Sequence, residues 1–291
     1  MDLIKAEIFK KEADSIISKL FYFGGNRYED AVDKYIKAGK IYKILKKYDL
    51  AVECMIKESN CHRKLKNDFD EYATYYEIAS TYSNFDKQQS LFYYNKAISY
   101  YIENGKYEKL AKIHNEVATI YESFGNNELC SENLLKAGDY LFDGDQKTSS
   151  VKYYEKLADI YIILEKYSDS ILILEKILDI FRNRHSYLLT KYIFKILVCY
   201  MTIFTKENNI NGFENKLNSI INNYIAFRNS EEHTLLLSLI IAFKNNNKND
   251  YSKLLKDYDY LKNLDSYYVK LFREIKNNLI NEYVDNNIDF T

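Results

Sequence analysis

The 291-residue sequence contains no proline, no tryptophan and only 8 glycines. Without proline, no position loses its backbone N–H or clashes with the preceding helical turn, so long uninterrupted helices are possible. The scarcity of glycine leaves few positions for the tight turns of β-hairpins. Both absences favour helices joined by short loops.

The sequence also lacks an excess of either charge, since 41 Lys and Arg residues stand against 42 Asp and Glu. Nucleic-acid-binding proteins usually carry a basic surplus, so nucleic acid is not expected as a partner. No apolar run approaches the roughly 18 residues that a membrane span requires. The amphipathic N-terminus is unlike a signal peptide, and the four cysteines show no disulfide framework. We therefore expect a cytoplasmic protein.

Catalytic motifs are missing as well. The sequence contains no GxxxxGK[ST], GxGxxG or HExxH pattern, so no nucleotide or metal cofactor is predicted. Cys54, Cys61 and His62 form the single metal-like cluster, but their spacing is poor, and we expect these cysteines to pack as small hydrophobic residues. The sequence predicts a protein that is not an enzyme. A deep polar pocket with perturbed titratable groups would revive that alternative.

What the sequence does contain is a repeat. A small residue is followed three positions later by tyrosine in four segments, and the tyrosines are 40, 39 and 40 residues apart. The pairs are Gly39/Tyr42, Ala79/Tyr82, Ala118/Tyr121 and Ala158/Tyr161. Residues three apart share a helix face. The small residue therefore permits close approach of a neighbouring helix, and the ring packs against that same helix.

A second series of such pairs lies between the first, with steps of 40 and 41 residues. Its members are Ala97/Tyr100, Ala137/Tyr140 and Leu178/Phe181. Two interleaved series at one period indicate two helices per repeat, and one helix pair cannot cover its own apolar face, so neighbouring pairs must stack. The sequence predicts an all-α, TPR-like, right-handed α-solenoid of antiparallel helix pairs.

The repeat fades after about residue 185, which predicts two regions. Residues 1–185 are expected to form the helical repeats, and residues 186–291 a C-terminal helical bundle with a short tail. Turns are expected at Gly105, at 125–127 and at 143–145, where Gly or Asn can end a helix. In the second region, LLLSLIIAF (235–243) is apolar nearly all round and predicts a buried helix.

Several segments, taken together, resemble the soluble NSF attachment proteins (SNAPs), a family of adaptors in SNARE disassembly. They are LFYFGGNRYEDAVDKYIKAGKIYK (20–43), NGKYEKLAKIHNEVATIYE (104–122), SSVKYYEKLADIYIILEKYSDSILILEK (149–176) and YSKLLKDYDYLKNLDSYYVKLFREIKNNL (251–279). The resemblance runs from about residue 5 to the C-terminus. Generic TPR proteins would match the repeats but neither the first segment nor the last.

The first candidate site is the loop Leu20-Phe21-Tyr22-Phe23, which precedes two glycines. Large apolar side chains beside a flexible glycine pair could dip into a bilayer interface. The alternative is that the rings close the open end of the solenoid. The resemblance implies contact with the membrane that carries the SNAREs, and hence a peripheral membrane location.

The second candidate site is a set of lysines that recur at matching repeat positions. The resemblance implies that they lie on the concave face and contact the acidic SNARE four-helix bundle: Lys106, Lys112, Lys152, Lys156 and Lys191. Each exposed ion pair would contribute only about 0.2–1 kcal/mol. Affinity would then require many contacts and several adaptor copies on one bundle, although the free protein is expected to be a monomer. Ordinary solvated lysines are the alternative.

The third candidate site is the tail DNNIDFT (285–291), with Asp289 and Phe290 near its end. In the family, an acidic tail with a penultimate Leu stimulates the hexameric AAA+ ATPase NSF. Here Phe replaces that Leu, and Lys244 and Asn245 stand where the family has acidic residues. Plain disorder of the tail is the alternative.

The resemblance thus implies an adaptor in vesicle fusion and intracellular transport, including ER–Golgi transport, that recruits NSF to assembled SNAREs. Two alternatives remain open. One is a TPR-type scaffold or chaperone co-factor that binds peptides, and the other is a SNAP-like mimic that binds SNAREs without activating the ATPase.

Overall fold

The protein is described here from a computed structural model that covers residues 2–19, 21–23, 25–182 and 187–279. Within these ranges it forms fourteen α-helices, one short 3-10 helix and no β-strand. The chain separates into two compact units, Met1–Asp145 and Gln146–Thr291. The boundary predicted at residue 185 marks where the sequence repeat fades, whereas the boundary at 145 separates compact units. The predicted boundary therefore stays a prediction.

The first unit contains seven helices, each of which packs against the next along the chain. They are α1 (Asp2–Ser18), α2 (Arg27–Ile44), α3 (Tyr48–Lys64), α4 (Asp68–Tyr82), α5 (Lys87–Glu103), α6 (Tyr107–Ser123) and α7 (Asn127–Asp143). From α2 onward, successive helices begin 19 to 21 residues apart, which is half of the period found in the sequence. The predicted all-α solenoid of antiparallel helix pairs is confirmed.

The second unit begins with three helices at the same spacing and continues with a less regular set. They are α8 (Lys147–Ile163), α9 (Tyr167–Ile180), α10 (Tyr187–Lys206), α11 (Ile210–Asn223), the 3-10 helix (Ile225–Asn229), α12 (Glu231–Lys244), α13 (Lys248–Lys262) and α14 (Ser266–Asn277). Helix α10 packs against α9, α11 and α14. The described residues after 186 form five α-helices and the 3-10 helix, in the region where the sequence predicts a C-terminal helical bundle.

The small residues of the repeat pairs are buried, as the close approach of neighbouring helices requires. Ala79, Ala97, Ala118, Ala137 and Ala158 are each 0% exposed. Their partner tyrosines pack around them, and Tyr72 of α4 stacks on Tyr100 of α5 with ring centroids 4.5 Å apart. Such ring pairs stabilise the helix interface beyond the area that they bury.

The prediction of a buried helix at 235–243 holds for six of its nine residues and fails along one stripe. Leu236, Leu239 and Ile240 are buried, but Leu237 is 44% and Ile241 is 61% exposed. The helix packs against α10, α11, α13 and the 3-10 helix on part of its circumference, and the stripe through Leu237 and Ile241 is left open. Hydrophobicity alone did not distinguish a fully buried helix from one that is covered on most sides.

Most turns between the described helices share one backbone geometry. After α2, Lys46 has a left-handed φ of 56°, its N–H donates to Lys43 O (3.0 Å), and the N–H of Lys47 donates to Tyr42 O (2.8 Å). This is the Schellman ending of a helix. Left-handed residues lie in eight further turns of the described chain, at Lys66, Gly105, Gly125, Asp145, Glu165, Asn208, Asn246 and Asn263. Gly105 and Gly125 confirm predicted turns, whereas the lysines and Glu165 carry no glycine signal.

Lys46→Gly is expected to stabilise the protein by about 1 kcal/mol, because a Cβ atom is unfavourable at a left-handed φ. The measurement is the denaturant midpoint at constant slope. Lys47→Gly is the matched control, since Lys47 has a φ of −87° and gains no relief from glycine. Equal effects of the two substitutions would contradict the assignment of strain to Lys46.

Candidate functional site

The loop between α1 and α2 exposes two aromatic rings. Phe21 is 76% exposed and Phe23 is 97% exposed, while Tyr22 between them is half-buried. The Tyr22 hydroxyl donates a hydrogen bond to the Asp30 carboxylate of α2. Leu20, the first residue of the predicted loop site, lies outside the described residues. Phe21 and Phe23 therefore do not close the end of the first unit, which was the alternative interpretation.

The ends of this loop are fixed by hydrogen bonds. The Arg27 guanidinium donates to Lys19 O (3.1 Å), and the Asn26 side chain caps α2 by accepting from Tyr28 N (3.0 Å). Gly25 has a φ of +95°, a value that glycine adopts without strain. The loop is thus anchored at its base while Phe21 and Phe23 point into solvent. In the described part of the chain, no helix is long and apolar enough to cross a bilayer.

In the first unit, Lys112 lies on α6 beside an aromatic ring of α4. Its ammonium is 5.0 Å from the ring centroid of Tyr76, and that of Lys109 is 5.7 Å from the same ring. The Tyr76 hydroxyl donates to Glu116 (2.8 Å), which holds the ring in place. Lys106 is exposed in the turn before α6. Lys109 was missed at the sequence level, although its three-residue spacing from Lys112 places both on one helix face.

In the second unit, two predicted lysines lie one turn apart on α8. Lys152 is exposed, with its ammonium 4.7 Å from the Tyr153 ring centroid, and Lys156 is half-buried. The third predicted residue, Lys191 of α10, reaches α8 and forms an ion pair with Glu155, with Nζ 2.6 Å from Oε1. Burial raises the pKa of Glu155, but hydrogen bonds from Lys191 and Tyr192 outweigh it, so the pKa lies below its usual value.

One turn further along α10, a second ion pair is more deeply buried. Lys195 is 8% exposed, and its ammonium lies 2.6 Å from Asp159 Oδ1 on α8 and 3.9 Å from the ring centroid of Tyr267 on α14. Lys191 and Lys195 thus join α10 to α8 at two successive turns. Lys191 serves as a structural contact as well as a candidate for partner binding.

The tail site, Asp289 and Phe290, lies outside the described residues. Lys244, which stands where the resemblance leads us to expect an acid, is at the end of α12. Its ammonium forms an ion pair with Glu214 of α11, with Nζ 2.6 Å from Oε2. A carboxylate of this chain therefore balances the unexpected positive charge.

The metal-like cluster of the sequence is packed into the helices. Cys54 and Cys61 are buried free thiols, and burial raises the pKa of each to about 11. A thiol must lose its proton to bind a metal, so these positions are unfavourable as ligands. His62 is 7% exposed, and burial lowers its pKa. Its Nε2 is 3.9 Å from Glu58 Oε1, one turn earlier on α3.

Glu58 should make stability depend on pH. Burial raises its pKa to about 7 from 4.5, opposed by the Thr74 hydroxyl and by Lys40, while Glu77 and Asp70 add to the rise. A raised folded-state pKa contributes stability below pH 4.5 that is lost as the pH rises through about 7.

We therefore expect the unfolding free energy to fall by roughly 2 kcal/mol from about pH 5 to pH 8, and Glu58→Gln to remove most of that fall. His62, with its lowered pKa, acts oppositely, because its contribution is present above pH 6.5 and is lost on acidification. Denaturant unfolding across this range is the measurement. Glu103→Gln, at an exposed position of α5, should keep the wild-type profile. An unchanged profile in Glu58→Gln would contradict the assignment.

A depression of about 600 Å³ lies beside His62, open to solvent and lined by the charged residues Glu29, Asp33, Lys64, Lys66 and Asp70. Glu58, whose pKa is strongly raised, is not among its lining residues. The perturbed carboxyl group therefore does not belong to this depression.

The stacked helix pairs define a TPR-like helical-repeat protein. The family model described as "Soluble NSF attachment protein, SNAP" matches residues 4–280. The chain therefore belongs to the soluble NSF attachment protein family.

Curated relatives match over nearly the same length. The chain is 26% identical to the beta-soluble NSF attachment protein of Bos taurus, over 95% of this chain and 92% of that protein. It is 28% identical to the alpha-soluble NSF attachment protein of Dictyostelium discoideum, over 97% and 98%. It is 22% identical to the vesicular-fusion protein SEC17 of Komagataella phaffii, over 88% and 86%.

Among solved structures, the chain is similar to BtubC (BKLC) from P. vanneervenii, with a TM-score of 0.44 and 19% identity over 68% of this chain and 82% of that one. A TM-score of this size adds nothing to the family assignment.

Proposed function

We propose that this protein is an adaptor of vesicle fusion, which binds assembled SNARE complexes and recruits an NSF-type hexameric ATPase to separate them. The family match over residues 4–280 carries this proposal. The protein itself would perform no chemistry and would couple ATP hydrolysis by its partner to unwinding of the bundle. It would act in the cytoplasm as a peripheral membrane protein, with several copies on each SNARE complex.

The lysines provide the charge that an acidic bundle requires. Lys106, Lys112 and Lys152 are exposed, and Lys109 adds a further ammonium beside Lys112. The rings of Tyr76 and Tyr153 lie near the ammonium groups of Lys112 and Lys152. These contacts already restrict the lysine side chains in the free protein, so binding a partner costs less conformational entropy. Lys191 contributes less, because Glu155 already balances its charge.

The exposed loop supports the membrane part of the proposal. Phe21 and Phe23 are two of the most exposed apolar side chains in the described chain, and such rings are costly to leave in water. Each would contribute roughly 1.5–3 kcal/mol if fully buried in the bilayer, and less at a shallow depth. A scaffold that binds only peptide tails would have no use for them.

The deciding experiment is reconstituted disassembly of a purified SNARE complex with NSF, ATP and this protein. Disassembly that depends on Phe290 would support the full adaptor function. Failure to bind the bundle at all would overturn the proposal and leave a TPR-like scaffold.

A second candidate function is a mimic that binds SNAREs without activating the ATPase. The observation that favours it is Lys244, which stands where the resemblance implies an acid. Lys244 forms an ion pair with Glu214, so this position contributes no surplus negative charge. Basic patches on the ATPase would then meet weaker complementary charge. Binding to the bundle without disassembly in the same assay would identify this function.

A further inference from the structure

Helix α1 has one face that no other described element covers. It packs against α2 through Ala6 and Ala13, which are both 0% exposed. On the opposite side, residues spaced by three or four positions are exposed, namely Ile4, Ile8, Lys11 and Ser15, and the exposed Lys19 follows directly after the helix end. This spacing forms a single stripe along the helix. The stripe, here called the outer face of α1, leads directly to the loop that carries Phe21 and Phe23.

The outer face carries apolar side chains at the far end of the helix from that loop. Ile4 is 63% exposed and Ile8 is 50% exposed, one turn apart. Seven isoleucines of the described residues are exposed, and two of them share this uncovered stripe, where they form an unpartnered apolar patch.

The ion pairs of α1 divide its charges between two sides. Glu12 is held by Lys34 of α2 (2.5 Å), and Asp14 is held by Lys57 of α3 (2.8 Å). Lys10 is likewise bound to Glu53 of α3 (2.5 Å). Two acidic groups of the helix, Glu12 and Asp14, are therefore balanced by lysines of the fold.

The remaining lysines of α1 point outward. Within the described residues, the ammonium groups of Lys5 and Lys11 make no hydrogen bond or ion pair, and Lys19 has only the Tyr22 ring nearby, 6.0 Å away. Glu7 is also exposed, and its negative charge adds to the effect of burial in raising the pKa of Tyr42. The outer face thus combines isoleucines with unpaired positive charge.

We propose that the outer face of α1 lies flat on an anionic membrane surface, so that the bilayer contacts the whole helix and not only the loop. Isoleucines would enter the acyl boundary, while lysines would reach the phosphates of acidic lipids. The 17 residues of α1 give this contact a length of about 25 Å. The inference rests on the membrane contact in the proposed function. It extends that contact from the loop to the whole length of α1.

The absence of tryptophan from the chain allows a direct test. Ile8→Trp, Phe23→Trp and Leu172→Trp each introduce a single fluorophore, and Leu172, 63% exposed on α9, is the matched control. The vesicles contain phosphatidylcholine with or without phosphatidylserine, and the acyl chains are brominated for quenching. We expect quenching and a blue shift at positions 8 and 23 with phosphatidylserine, and neither at 172.

The outcomes separate the inference from the function on which it rests. Quenching at 23 without quenching at 8 would overturn the inference and leave the loop contact intact. Quenching at neither position would overturn both. A blue shift at 8 that rises with protein concentration in the absence of vesicles would assign the face to a second copy of this chain, which also overturns the inference.

Two further variants test the chemistry of the face in the otherwise natural sequence. Ile4→Ser with Ile8→Ser should weaken vesicle binding at least about tenfold, and Lys11→Glu with Lys19→Glu should do so only for vesicles with phosphatidylserine. Both should keep wild-type binding to a SNARE bundle in solution, which shows that the variants fold. Wild-type vesicle binding by both variants would overturn the inference.

Discussion

Replacement of Lys112, Lys152 and Lys156 by Glu is expected to lower the affinity for the SNARE bundle about 100-fold. Each replacement turns an attraction into a repulsion at a partly exposed position, which is worth about 1 kcal/mol, and three together reach roughly 3 kcal/mol. Pull-down of the purified bundle is the measurement. Helicity should be unchanged, because Lys112 and Lys152 are exposed and Lys156 is half-buried.

The control for this triple replacement must carry the same change in net charge. Lys37→Glu, Lys253→Glu and Lys256→Glu provide it, since all three are exposed lysines outside the proposed set. An equal loss of binding in the control would show that net charge matters rather than the site. Unaltered binding in the test protein would reject the lysine assignment.

Lys195→Met is expected to destabilise the protein by roughly 2–4 kcal/mol. The substitution keeps most of the apolar volume but leaves Asp159 without the ammonium that lies 2.6 Å from it. A partly buried carboxylate that has lost a buried ammonium partner is costly. The free energy of unfolding in denaturant is the measurement, and Asp159→Asn combined with Lys195→Met should recover most of the loss.

Lys191→Met is the matched control for this prediction. It lies one turn earlier on α10 and also pairs with a carboxylate of α8, but its side chain is 60% exposed, against 10% for Lys195. Exposed pairs of this kind contribute less than about 1 kcal/mol. Equal costs at the two positions would show that burial does not determine the strength of these ion pairs.

The repeat architecture could be predicted because its signal is local. A small residue and a ring three positions apart define a helix face, and the recurrence of the pair gives the helix spacing without knowledge of contacts. The same reasoning located the turns at Gly105 and Gly125, where glycine marks a left-handed residue. At Lys46 and Glu165 the same conformation is imposed on residues that do not favour it, so no sequence signal exists.

The candidate site was harder to predict, because its decisive features are contacts between distant residues. Lys191 and Lys195 look equivalent in the sequence, and each pairs with a carboxylate 36 residues away. Nevertheless, Lys191 is exposed and Lys195 is buried. The exposure of Phe21 and Phe23 also depends on whether a neighbouring helix covers them. Patterns within one helix give its apolar side, but the number of neighbours around it decides how much of that side is covered.

The common turn geometry limits how the first unit can change its length in evolution. Each turn reverses the chain, so loss or gain of one helix of about 20 residues would invert the direction of every later helix in that unit. Inversion would exchange buried and solvent-facing sides, whereas loss or gain of a helix pair would preserve them. Viable length variants should therefore differ by about 40 residues, the period of the repeated tyrosines.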